Sequence, residues 1–130
     1  AIRFIEDLPE TLPRAIASSS STEWITRHLD HLGVRAAFGD KIFSGREHVE
    51  RGKPAPDIYL HAAQALGVDI RRCVILEDSP VGVTGAVASG AYVIGLCAGT
   101  HCAPDHADRL LALGVNVIAN DFDEVARLIA

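Results

Sequence analysis

The chain has 130 residues, at most one ordinary domain, and is rich in aliphatic and poor in aromatic side chains, which suits an alanine-rich α/β protein better than a β-sandwich. Its net charge of −5 disfavours non-specific nucleic-acid binding, although local lysines and a metal can still hold a small anion. No apolar run is long enough to span a bilayer, and the acids in the first ten residues do not fit a signal peptide, so neither a membrane partner nor an export leader is expected.

The spacing of Phe4, Ile5, Leu8 and Leu12 predicts a short helix ended by prolines, which delivers the chain into a strand at Arg14–Ser18. A run of hydroxyls, Ser18 to Thr22, leads into a helix over Glu23–Leu32, with Trp24, Ile25, His28, Leu29 and Leu32 on its inner face and Gly33 as its stop. Lys41–Ser44 reads as a second strand. After the polar loop GREHVERGKPAP comes a helix over Asp57–Leu66 that stops at Gly67. Arg72–Leu76 reads as a strand buried on both faces, and Ser79–Ser89 as a helix entered through Ser-Pro. Gly82 and Gly85 lower that helix's intrinsic stability, so close packing on a sheet is the expected compensation. A strand at Ala91–Leu96, a helix at Pro104–Leu113, a strand at Val115–Ala119 and a helix at Asp121–Ile129 complete the chain. This alternation predicts a parallel sheet with right-handed crossovers.

Cys73, Cys97 and Cys102 have no zinc-type pairing; Cys73 reads as a buried structural thiol, and a reducing cytoplasm is the default. Cys97, His101 and Cys102 lack a third oriented partner for a dyad or metal site. Every histidine reads as solvated or structurally bonded.

Three features fall at carboxyl ends of predicted strands, where open parallel sheets bind ligands. Ser18 and Ser19 can bind an anion or cap a helix. Lys53, in Gly52-Lys53-Pro54, can meet a phosphate as a point charge or stand in solvent. Glu77 and Asp78 repel each other unless a hard cation such as Mg2+ neutralises them; the alternative is an Asp that caps the next helix.

In that order, AIASSS, GKPAPDIYL and VILEDSPVGVTGAVASGAYVIGL resemble the second, third and fourth motifs of the haloacid dehalogenase-like hydrolases, in their β-phosphoglucomutase and phosphoglycolate phosphatase branch. The likeness runs from about Leu12 to Ala130 and implies a Rossmann-like three-layer α/β sandwich around a mostly parallel sheet. It implies that Ser18 and the Ser19 backbone bind the transferring phosphoryl group and that Lys53 balances charge beside the nucleophile. Asp78 would ligate Mg2+, with Glu77 supporting the metal directly or through water. Ser20, Arg46 and Arg51 are candidate contacts to a small phosphorylated metabolite.

The family's first motif, a strand ending in D-x-D that carries the nucleophile and the acid/base, does not precede Ser18, and neither does the helical cap. Residues 1–13 resemble the return from such a cap, and 14–130 the core. Asp121-Phe122-Asp123 matches D-x-D literally but sits at a helix start, where Asp caps. In the family's sheet the first-motif strand lies between the strands of Ala15 and Ile75. Without it, the pair at Ala15 and Ile42 separates from the group at Ile75, Val93 and Val117. The chain is therefore expected to be completed by an N-terminal segment of the same protein or by another chain, and to be inactive alone. The rival reading is a phosphate-binding or interaction module of the same fold that performs no chemistry.

Overall fold

The computed structural model describes residues 2–97 and 104–129. Helix α1 (Ile2–Glu6) leads to strand β1 (Ile16–Ser18), helix α2 (Thr22–Leu32), a short helix α3 (Arg35–Phe38) and strand β2 (Ile42–Ser44). Helix α4 (Asp57–Leu66) and a 3-10 turn (Ile70–Arg72) precede strand β3 (Val74–Glu77), helix α5 (Pro80–Ser89) and strand β4 (Tyr92–Leu96). Helix α6 (Pro104–Ala112), strand β5 (Val117–Ala119) and helix α7 (Phe122–Ile129) end it. The predicted alternation is present; α3 and the 3-10 turn were not anticipated, being too short for a periodic pattern.

All strand pairs are parallel, and they form two sheets, not one. β1 pairs with β2, Ala17 opposite Phe43. β3, β4 and β5 form the other sheet in that order, Ile75 opposite Val93 and Gly95 opposite Ile118. This is the separation expected from the sequence, and among the described residues no strand joins β1 to β3.

What holds the two sheets in one body is a shared helical layer. Phe43 of β2 and Val93 of β4 enter a single core with Ile58, Tyr59 and Ala62 of α4, Val83 and Ala86 of α5, and Leu110 of α6. Ile58, Val83, Val93 and Leu110 are wholly buried, each contributing roughly 1.5–3 kcal/mol. The opposite faces are covered separately. Ile25 and Leu29 of α2 pack on Ile42 with Val34 and Phe38, while Val125 of α7 packs on Ile94 and Ala119.

The helix stops follow the sequence signals: Gly33, Gly67 and Gly90 each end a helix in the left-handed region. The α2 start differs from a simple Ser18–Ser19 cap. Its N-cap is Ser21, whose Oγ accepts from Trp24 N at 3.2 Å. Ser18 and Ser19 are thereby left outside the helix.

Two burial expectations are corrected. α2 buries only the Ile25–Leu29 stripe; Trp24 is 55% exposed and stacks on exposed His28, ring centroids 5.0 Å apart, and Leu32 is also exposed. β3 is not buried on both faces: Val74 is 47% exposed and the rest of the strand only half-buried, because β3 is an edge strand paired solely with β4. Cys73 is a free, half-buried thiol for the same reason.

Candidate active site

The sequence brings three loops to the carboxyl ends of β1 and β3, on either side of the gap between the sheets. Ile16 N and Ser18 O both bond toward β2 and its following loop, so alternation turns Ala17's carbonyl toward the gap. There it accepts from the Lys53 ammonium at 3.3 Å. On the far side the same ammonium lies 2.9 Å from Glu77 Oε2. Lys53 thus spans the gap, with 10% of its side chain exposed against 12% for Glu77. The solvated-lysine alternative does not hold.

Close backbone contact fixes the lysine's loop. A Cβ on Gly85 would stand 2.7 Å from Ala55 O and 3.1 Å from Pro54 O, so only glycine lets α5 approach the Lys53-Pro54-Ala55 turn. Gly82 does the same for Glu77, whose carboxylate fills the space a Cβ would take. The close packing expected of this helix is therefore largely against the site itself, and not only against the sheet.

Glu77 is the best-satisfied acid among the described residues of the site. Oε2 accepts from Lys53 and from the Tyr59 hydroxyl, both at 2.9 Å. Oε1 accepts from Asp78 N at 3.1 Å and from Ser79 N and Oγ at 3.3 Å. Burial pushes the carboxyl up, but Lys53's charge and the hydrogen bonds from Lys53, Tyr59 and Ser79 outweigh it and hold it below the usual range. Asp78 moves the other way: partial burial first, then Glu77's negative charge, raise it. Asp78 is exposed, and its backbone carbonyl is met by His106 Nε2 at 2.8 Å. Ser79, not Asp78, caps α5, its Oγ accepting from Gly82 N at 3.0 Å.

This donor set suits a hard cation only in part. Asp78 is the acid open to one, while both Glu77 oxygens are engaged by protein donors. Among the described residues no three His, Cys, Asp or Glu side chains converge on a metal position.

On the β1 side, Ser18 Oγ accepts from Ser20 N at 3.1 Å, which folds the Ser18–Ser20 turn, and Ser19 is exposed at its tip. Buried Ser44 fastens this turn to β2: its Oγ donates to Ser20 O at 2.7 Å and accepts from Arg46 N. Glu47 ties the loop to α2 by accepting from Thr22 N at 3.0 Å. The candidate substrate contacts diverge. Arg46 is exposed, whereas Arg51 forms a two-pronged pair with Asp57 at 3.0 and 3.1 Å.

Of the remaining sequence candidates, Asp121 is a helix cap, accepting from Glu124 N at 2.7 Å. His48 is structurally bonded, its Nδ1 2.8 Å from Ser44 N. His101 and Cys102 lie outside the described residues. Sequence reasoning missed Tyr59 and the Gly82 contact. The only signal was the placement of a tyrosine in the first turn of the helix that follows the lysine.

A lysine between two strand ends, a hydroxyl turn and an acid pair under a helix start thus gather at one end of an α/β domain. The family model described as haloacid dehalogenase-like hydrolase matches residues 1–90, and the chain belongs to that family. It is 31% identical over 94 residues to 6-phosphogluconate phosphatase of Escherichia coli (strain K12), covering 72% of this chain and 42% of that protein. It is 40% identical over 83 residues to hexitol phosphatase A of the same organism, covering 64% and 37%. Among solved structures, a HAD family hydrolase from Deinococcus radiodurans with bound phosphate and sodium superposes with a TM-score of 0.86 at 33% identity, over 99% of this chain and 56% of that one. The chain spans less than half the length of these two phosphatases.

Proposed function

We propose that this chain is the phosphoryl-handling core of a Mg2+-dependent phosphatase or phosphomutase that acts on a small phosphorylated metabolite. The observation that carries the reading is Lys53, held between the ends of β1 and β3 by Ala17 O and Glu77. A strand ending in D-x-D, from outside residues 1–130, would lie between the two sheets and pair with β1 and β3. Its first carboxylate would attack phosphorus and form an aspartyl-phosphate as the P–O bond to the leaving group breaks. The second acid protonates that oxygen; water, or an acceptor hydroxyl, then takes the phosphoryl group.

The residues of this chain prepare that position. Ser18 and the Ser19 backbone offer donors to the phosphoryl oxygens, and Lys53 balances charge as the negative nucleophile and phosphate approach each other. Asp78, joined by the acids of the D-x-D strand, would hold Mg2+, with Glu77 acting through water. Bound there, the metal supplies positioning and neutralises phosphoryl charge. The relatives' names point to phosphorylated sugars and sugar acids as the substrates to screen, and a cytoplasmic setting fits such metabolites.

The test compares two proteins. Residues 1–130 alone are expected not to hydrolyse p-nitrophenyl phosphate. A longer product of the same reading frame is expected to hydrolyse sugar phosphates in Mg2+, and Lys53→Ala to abolish this. Robust Mg2+-dependent turnover by residues 1–130, lost in Lys53→Ala, would overturn the need for an outside nucleophile. A reading frame with no D-x-D strand would favour the non-catalytic phosphate-binding module.

A further inference from the structure

Tyr59 stands on the first turn of α4, 5% exposed, in the core shared by the two sheets. The Lys53 ammonium sits 5.3 Å from its ring centroid. Its hydroxyl is 2.9 Å from Glu77 Oε2 and 3.1 Å from Gly82 O. A phenol has one proton, and the carboxylate is the stronger of these two acceptors. Burial first, then Glu77's charge, push the phenol's ionisation far up, so it remains a neutral donor.

The five donors around Glu77 divide between its two oxygens. Oε1 is held by the turn of Glu77 itself, through Asp78 N, Ser79 N and Ser79 Oγ. Oε2 has only Lys53 and Tyr59. Of these, Lys53 ends a long flexible stem, whereas Tyr59 is a rigid ring fixed by the core. With Tyr59 in place, the carboxylate lies against Gly82 and the ammonium is drawn to one point of the gap. Without the hydroxyl, Oε2 keeps Lys53 as its one donor, and the rigid contact that sets the carboxylate's distance from α4 is lost.

We infer that Tyr59 is a positioning residue for phosphoryl transfer: its hydroxyl fixes the Glu77 carboxylate beneath α5, and through it the height of the Lys53 ammonium between the sheets. Asp78 is left as the acid that faces outward. This rests on the function proposed above, because the ammonium's position matters to turnover only if a nucleophile and phosphate meet there.

The test uses Tyr59→Phe, which keeps the buried ring, with Ile58→Val as a neighbour that trims the same core without touching Glu77. In the longer protein, Tyr59→Phe is expected to lower kcat on the order of tenfold with KM changed by less than roughly twofold, while Ile58→Val leaves kcat nearly intact. An unchanged kcat in Tyr59→Phe, or an equal fall in Ile58→Val, would overturn the inference. The second readout needs no activity. In the longer protein labelled with [13C]carboxyl glutamate, the Glu77 signal, assigned by its loss in Glu77→Gln, is expected to move in Tyr59→Phe and to stay in Ile58→Val. A signal that stays in both overturns the positioning role. If the longer protein hydrolyses no phosphomonoester, the proposed function fails, and the carboxyl signal alone then decides whether Tyr59 positions Glu77.

Discussion

A side chain on Gly85 would meet the carbonyl oxygen of Ala55 at 2.7 Å, so the helix after the acid pair is seated on the turn that carries Lys53. Gly85→Ala removes an unfavourable helix residue, a gain of about 1 kcal/mol, but forces the helix off a backbone contact that cannot yield, at about 1–3 kcal/mol. We expect net destabilisation in urea titration. Val81→Ala, at a position of the same helix that is 52% exposed, is expected to fall within roughly 0.5 kcal/mol of the parent.

Lys53 and Glu77 are a pair with both side chains nearly buried. Removing one partner leaves the other charge without compensation, which typically costs about 3–5 kcal/mol. Lys53→Met is therefore expected to lower stability by several times the loss from an exposed lysine. Adding Glu77→Gln should restore part of it. A double-mutant cycle by chemical denaturation measures this, and an additive cycle would contradict the pairing.

Asp121 and Asp123 separate literal sequence from chemistry. Asp121→Ala is expected to cost about 1 kcal/mol, the worth of a lost helix cap, and to leave the phosphatase activity of the longer protein unchanged. A loss of activity beyond the loss of folded protein would return the 121–123 acids to consideration as a nucleophile.

Trp24 is the chain's single tryptophan and reports on α2 directly. Its 55% exposure predicts red-shifted emission that acrylamide quenches readily. Trp24→Ala should change stability little, whereas Leu29→Ala, on the buried stripe one turn away, should cost about 2–5 kcal/mol.

Cys73, between the 3-10 turn and β3, has its Sγ 3.4 Å from Asp69 O. Burial first, and then the Asp69 charge, push the thiol up from its ordinary value, so less thiolate is present at mildly alkaline pH. Peptide mapping after brief alkylation at pH near 8 should show Cys73 reacting more slowly than the same residue in urea. The difference should narrow as pH rises through the raised value.

The elements with their own punctuation were legible in the sequence. Gly33, Gly67 and Pro80 bracket helices where they were expected, and Lys53 and Glu77, singled out in the sequence, are brought together in space. The separation of β1–β2 from β3–β5 was also expected, from the strand order of the family whose motifs the sequence resembles. What was not legible depends on three-dimensional neighbours. Trp24 has helical spacing with Ile25 and Leu29, yet only contact with β2 decides which stripe faces inward. The run Val74-Ile75-Leu76 looks doubly buried until one knows that, among the described residues, β3 pairs only with β4. Tyr59 is an ordinary apolar helix position in a one-dimensional reading. Its hydroxyl acquires meaning only because the fold brings it to within 2.9 Å of Glu77 Oε2.

The Lys53–Ala17 hydrogen bond has a consequence for the behaviour of the chain in solution. Among the described residues β1 pairs only with β2 and β3 only with β4, and edges left unpaired in this way recruit strands from other molecules. An ammonium bonded to the outward carbonyl of β1, with its counter-charge at the end of β3, places a desolvation cost on any foreign strand that tries to dock there. By that argument an apolar strand docking beside β1 would lose more on entry than one that brings acids to meet the ammonium.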